Sequence, residues 1–167
     1  MVLSKSELIA ALQDEVRILL HLASKVDAGK LDYRPTPKQR STFELLKYLS
    51  MMGPVLVAAA KTGAFDEAAW TAAEQAAAAQ TFDETIAGIA SQKEAYSALL
   101  GGVSEDDFRA EIEPFGEKAS RGAFIVSAIL GGCVAYRTQL FLYLKASGRE
   151  ELGSSNLWSG MDAPEKA

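Results

Sequence analysis

The sequence predicts an all-α fold, a four-helix bundle, from three observations. Capping boxes of the S/T-x-x-E type open three segments at Ser4, Ser41 and Thr81. Within those segments, and in one further segment near the end of the chain, apolar residues recur at steps of three and four. No stretch shows the alternation and hairpin turns of paired strands, and there is no repeat of fixed period. The chain has 167 residues, 49% of them hydrophobic. That is enough for one domain with a real core, expected to span residues 1–167 with a non-helical tail from about residue 149.

The first helix starts near Ser4, where Ser4 and Glu7 satisfy each other's free backbone N–H. Ile9, Leu12, Val16, Leu19, Ala23 and Val26 form its apolar stripe, and Gly29 closes the segment. The linker DAGKLDYRPTPKQR follows, and Pro35 and Pro37 forbid a continuing helix. The second helix opens at Ser41 with Glu44 three residues on, and turns Leu45, Leu49, Met52, Leu56 and Ala59 inward. Pro54 lies inside it and is expected to kink it.

From Thr62 to Gln80 the chain is alanine-rich, which predicts a partly helical crossover anchored by Phe65 and Trp70. The third long helix starts at Thr81 and runs through Ile86, Ile89, Lys93, Tyr96 and Leu99–Leu100 to Gly101–Gly102. A polar connection leads to the fourth, from about Ser120 to before Gly148, with Ile125, Ile129, Gly132, Tyr136, Leu140 and Tyr143 as its inward stripe. Leu157 and Trp158 are expected to pin the tail. The long connections at 27–40 and 62–80 fit more than one up/down order.

Composition excludes some functions. The net charge of -5, with no basic cluster, argues against nucleic acid. The one cysteine, Cys133, rules out an internal disulfide and fits a reducing compartment. The first residues mix both charge signs, unlike a secretory signal. The charge-free runs Tyr48–Ala60 and Gly122–Tyr136 fall short of the roughly 20 residues of a membrane span. A cytoplasmic protein without membrane or nucleic-acid partners is expected.

Two stretches, LDYRPTPKQRSTFELLKYLS and RGAFIVSAILGGCVAYRTQLFLYLKASG, carry a resemblance. They resemble the DinB-like (DinB/YfiT) bundle proteins, where an aromatic-Arg-Pro turn leads into the second helix. The last helix there carries a His-Arg-Gly-Gln-like pattern, then Tyr-Leu-Arg and a glycine. The counterparts are Tyr136-Arg137-Thr138-Gln139, then Tyr143-Leu144-Lys145 and Gly148. The resemblance implies a four-helix bundle, usually a homodimer, with a metal held by three histidines, one on the second helix and two on the fourth. It also implies a runner-up function, since some relatives transfer or isomerise thiol adducts such as those of mycothiol or bacillithiol.

The three histidine positions match Tyr48, Gly132 and Tyr136, so no histidine remains at any of them. Glycine has no donor, and a neutral phenol with a pKa near 10 is a poor ligand for zinc or nickel. No metal and no cofactor is therefore expected. The single histidine, His21, falls on the charged face of the first helix with Asp14, Arg17 and Lys25, which reads as a surface or subunit-contact position. Glu44 is accounted for by its capping box. Cys133 reads as a small buried residue, since no histidine stands near to form a thiolate. Arg137 and Gln139 read as structural hydrogen-bonding or subunit-contact residues.

Each mid-helix glycine costs about 1 kcal/mol relative to alanine, so Gly131–Gly132 calls for compensation. Two readings stay open. Close packing can fill the space beside Gly132, or the vacated metal place survives as a small-molecule pocket lined by Tyr48, Met52, Gly132 and Tyr136. The favoured reading is a non-metal bundle of unassigned biochemical role, which binds a small molecule in that pocket or only itself as a homodimer, with thiol-dependent transferase or isomerase as the alternative.

Overall fold

Ser4, Ser41 and Thr81 cap their helices as their spacing predicts in the computed structural model, which describes residues 3–164. In each box the hydroxyl accepts from the backbone N–H of the third residue on, and that residue's carboxylate accepts in return. The helices they open are α1 (Lys5–Ala23) and α2 (Thr42–Thr62), then, after α3 (Glu67–Ala78), α4 (Phe82–Gly101). A one-turn helix α5 (Glu105–Arg109) precedes the last long helix α6, Arg121–Ala146. The alanine-rich crossover is thus a regular helix, capped by Asp66 and held by Trp70 against Phe65 at 5.6 Å.

Contacts fix the order that connection lengths left open. Gly53 meets Tyr96 and Ser50 meets Gly88, so α2 and α4 run parallel. Lys5 bonds to Gly101 and Gln13 to Ser97, so α1 runs against α4. Tyr48 packs on Tyr136 and Arg121 reaches the Ala60 carbonyl, so α6 runs against α2. The bundle is therefore up–down–down–up, with α3 as the return between two parallel neighbours.

The apolar stripes fall where their periodicity puts them: Leu12, Val16 and Leu19 on α1, and Leu45, Leu49, Met52, Leu56 and Ala59 on α2, are all buried. On α4 the buried polar residues are Thr85 and Gln92, while Lys93, the neighbour of Gln92, faces solvent. Pro54 explains the choice. Its ring nitrogen carries no hydrogen, so the Ser50 carbonyl one turn earlier loses its helical donor. Gln92 Nε2 donates to that carbonyl at 2.9 Å and to the Leu49 carbonyl at 2.7 Å. Its Oε1 accepts from the Tyr96 hydroxyl at 3.0 Å. Gly53 leaves the space for that hydroxyl, since a Cβ there would stand 1.9 Å from it.

Four departures from the sequence reading appear. The polar connection contains a short antiparallel pair, Glu111–Ile112 with Ala119–Ser120, turned at Gly116, which adopts a positive φ. The last helix is not uniform: Ile125–Leu130 is π-helical between α-helical Arg121–Phe124 and Gly131–Ala146. The wider turn shifts the phase of the stripe. Arg137 is turned inward at 3% exposure, while Tyr136 is only half-buried. The tail expected to be non-helical contains a π-helical turn, Ser155–Ser159. Residues 165–167 of that tail lie outside the described residues.

The fourth departure concerns His21. The tail folds over the charged face of α1 and leaves the His21 side chain only 15% exposed. Asn156 holds the contact: its Oδ1 accepts from the Gly153 N–H, and its Nδ2 meets His21 Nε2 at 3.0 Å and Asp162 at 2.9 Å. Lys25 pairs with Asp162 at 2.7 Å, and Arg17 donates to the Ser159 carbonyl. Beneath this clasp Arg137 Nε lies 2.8 Å from Glu15 Oε2, and its guanidinium also donates to the Leu157 carbonyl. Leu157 thus pins the tail through its backbone, while Trp158 is 68% exposed.

The helices α2 and α6 are long and apolar enough to cross a membrane by length and composition alone. The apolar stretch of α2 is 56% buried inside the bundle, that of α6 only 22%.

The α2–α4 lock yields a stability prediction. Gly53→Ala forces the Tyr96 ring out of its slot and breaks its bond to Gln92. A loss of about 2–4 kcal/mol is expected, from overpacking and unpaired buried polar groups together. Urea unfolding followed by far-UV circular dichroism measures it, and a change below about 0.5 kcal/mol contradicts the lock.

Candidate functional site

The four residues singled out in the sequence occupy one end of the α2–α6 seam, but they divide into two layers. Met52 and Gly132 form the inner layer. The Met52 methyl stands 3.5 Å, and its sulfur 3.7 Å, from where a Cβ on Gly132 would lie. Met52 is 2% exposed and fills the room that the glycine leaves. This is the close-packing reading.

Tyr48 and Tyr136 form the outer layer. Their rings meet edge to face, with centroids 5.0 Å apart and planes at 67°. Tyr48 also packs edge-on against Trp70 of α3 at 6.0 Å. Beyond Trp70 the aromatic contacts continue through Phe65 to Phe115, at 4.8 Å, and on to Phe124. Such pairs add about 0.5–1.5 kcal/mol each beyond the area they bury, and Trp70 uses two of them to seat the first turn of α3.

Of the four, Tyr48 is the one that borders a groove. It lines a groove of about 310 Å³ between α2 and α3, together with Arg40, Glu44, Lys47, Met51 and Glu74. The Arg40 guanidinium lies over the Tyr48 ring, 4.0 Å from its centroid. The Arg40 carbonyl accepts from the Tyr143 hydroxyl at 3.1 Å, which ties this end of the linker to α6. Burial raises the pKa of the Tyr48 phenol. The hydrogen bond and charge of Tyr136 raise it further, Arg40 opposes them, and Glu74 adds to the rise. The phenol therefore stays protonated at neutral pH and offers a neutral O–H, not a phenolate.

These groups do not fit a transition-metal ion. Two phenols form a poor donor set for zinc or nickel, and Gly132 supplies no donor. Among the described residues, no three His, Cys, Asp or Glu side chains come together in a way that could hold a metal.

Cys133 lies behind the seam. Burial pushes its thiol up to about 12, and Glu15 adds to the rise, while Tyr96 and Arg137 oppose it. A thiol so placed is un-ionised at neutral pH and is not a nucleophile. Glu44 keeps its cap on Ser41 and pairs with Arg34 at 3.2 Å. Gln139 donates to the Tyr143 hydroxyl. His21 takes no part, lying under the tail.

Sequence reasoning missed Arg40 and Glu74. Glu74 had a legible signal, since it lies one turn after Trp70 on the same face of a helix. Arg40 sits in the linker just before the N-cap, where no periodicity applies.

The filled inner layer predicts that Gly132→Ala is tolerated. The added methyl would make ordinary contact at 3.5 Å and remove the helix cost of glycine. A stability gain of up to about 1 kcal/mol is expected from thermal and urea unfolding. A loss above about 1 kcal/mol would show that the space is needed open.

No protein-family model matches the chain, and no curated protein matches it in sequence. Among solved structures, the DinB-like protein YjoA of Bacillus subtilis aligns with 87% of this chain and 94% of its own, at a TM-score of 0.67 and 19% identity. Similarity at that identity speaks to architecture, and the chain has the all-α DinB-like bundle fold.

Proposed function

We propose that this protein is a non-metal bundle that binds a small molecule in the groove beside Tyr48. The observation that carries the reading is the groove itself. It combines an apolar floor of Met51 and Ala77 with a protonated phenol and a guanidinium stacked on its ring. Polar groups converging on a concave surface orient a ligand, and here Arg40, Glu44, Lys47 and Glu74 surround that floor. The binding place thus moves outward from the four-residue pocket the sequence suggested, because Met52 occupies its depth.

The thiol-transferase or isomerase alternative has less support. Such chemistry needs a base to ionise the incoming thiol. Glu44 is committed to Ser41 and Arg34, and no histidine lines the groove to serve as that base.

A fragment set of amines, carboxylates, amino acids and aromatics, screened by protein-observed NMR, tests the ligand reading. Hits are expected to shift the amides of Arg40, Tyr48, Glu74 and Ala77, and Tyr48→Ala is expected to weaken them on the order of tenfold. A screen at millimolar concentration that leaves those amides unmoved sinks the reading.

A second copy of the chain is the proposed cover for α6. Val126 and Leu142 are 39% and 56% exposed on a helix whose apolar stretch is little buried, and Gly122–Tyr136 carries no charge to select a different partner. A homodimer is expected in sedimentation velocity at tens of micromolar, dissociating in Leu142→Glu. A monomer at that concentration, or binding to lipid vesicles instead, contradicts it.

A further inference from the structure

The groove contains four charged side chains, and two of them already have partners. Glu44 closes the cap of α2 and pairs with Arg34. Lys47 donates to the Ala78 carbonyl at 2.7 Å, at the C-terminal end of α3, and its ammonium lies over the Phe43 ring. Arg40 and Glu74 remain. Among the described residues, neither the Arg40 guanidinium nor the Glu74 carboxylate has a side-chain or backbone hydrogen bond or an ion pair.

The two are opposite in sign, lie on different elements and line one groove without reaching each other. Tyr48 sits between their influences, since Arg40 stacks on its ring and both charges act on its phenol. The Arg40 guanidinium is held by that stack, so less conformational entropy remains to be lost when it binds an anion. A single charge of either sign would be ordinary surface. An unpaired guanidinium and an unpaired carboxylate along the same apolar floor are complementary to a molecule that carries both charges.

We propose that the groove takes an amphoteric amino-carboxylate, a zwitterion of amino-acid type. Its carboxylate would sit on Arg40 and its ammonium on Glu74, with its alkyl part over Met51 and Ala77. The assignment rests on the reading of this groove as the ligand site and adds to it the chemical class. Guanidinium–carboxylate pairing is geometrically specific because it is bidentate. An ammonium needs only a nearby carboxylate, so the spacing between the two charged groups of the ligand becomes the selective variable.

Titration of the full-length protein with glycine, β-alanine, γ-aminobutyrate and 5-aminovalerate, beside butyrate and butylamine, tests this by NMR shifts at Arg40, Tyr48 and Glu74. One member of the amino-acid ladder is expected to bind at least tenfold tighter than butyrate and butylamine. Arg40→Gln and Glu74→Gln are each expected to erase that advantage while the protein stays folded, with the melting temperature unchanged in Glu74→Gln and lowered only slightly in Arg40→Gln by loss of its exposed stack on Tyr48. If butyrate or butylamine binds as well as every zwitterion, or if one substitution has no effect, the amphoteric class is wrong while the ligand groove stands. If none of these probes shifts the three residues but other fragments do, the class is again wrong. If no fragment of any kind does so, the groove reading falls with it.

Discussion

Pro54 removes one hydrogen bond from the middle of α2, and the bundle is organised around repairing it. The Ser50 carbonyl would be a buried unpaired acceptor, at a cost of about 1–3 kcal/mol. Gln92 satisfies it from α4, together with the Leu49 carbonyl, and the Tyr96 hydroxyl completes the network against Gly53. A polar network in an apolar core is tolerated only when its members are paired, and its directionality then fixes one register. Here it fixes α4 alongside α2, in parallel, which in turn requires the return through α3.

The same seven residues, Tyr48 to Pro54, shape the rest of the molecule. Met52 enters the space beside Gly132, and Tyr48 reaches Tyr136 on one side and Trp70 on the other. Where the resemblance would place three imidazoles around a cation, this chain has a thioether against a bare backbone and two phenols edge to face. The interior at that point is held by dispersion and aromatic contact, interactions that need no charge. Polar chemistry is displaced outward, to the groove where Arg40 and Glu74 flank the outer face of Tyr48.

At the other seam, α1 and α6 are joined by Glu15 and Arg137. Burial, with a smaller push from Asp14, raises the Glu15 pKa despite the opposing charge and hydrogen bond of Arg137, so this pair sits in a costly environment. A buried ion pair is weak evidence of net stability but strong evidence of required geometry, because either charge left alone is expensive. Arg137 also donates to the tail at Leu157. The tail then brings Asn156 onto His21 and Asp162 onto Lys25. A segment without periodicity becomes ordered through backbone carbonyls and paired side chains, which is why its helical turn was not foreseen.

What the sequence alone determined is local: where helices begin, through the boxes at Ser4, Ser41 and Thr81, and which faces of them are apolar. Capping and amphipathicity act within a turn or two, so residue spacing reveals them. That Tyr48, Gly132 and Tyr136 are not histidines is likewise a matter of residue identity. Tertiary structure decided what spacing cannot express. The π-helical turn in α6 rotated Arg137 inward, the freed carbonyl beside Pro54 chose Gln92 over Lys93, and the tail covered His21. Whether Gly132 bordered a cavity or a packed core depended on the reach of Met52 from another helix. The placing of Arg40 and Glu74 along one groove depended on where α3 came to rest. Most of these depend on residues far apart in the chain, and such neighbours meet only once the helices have packed.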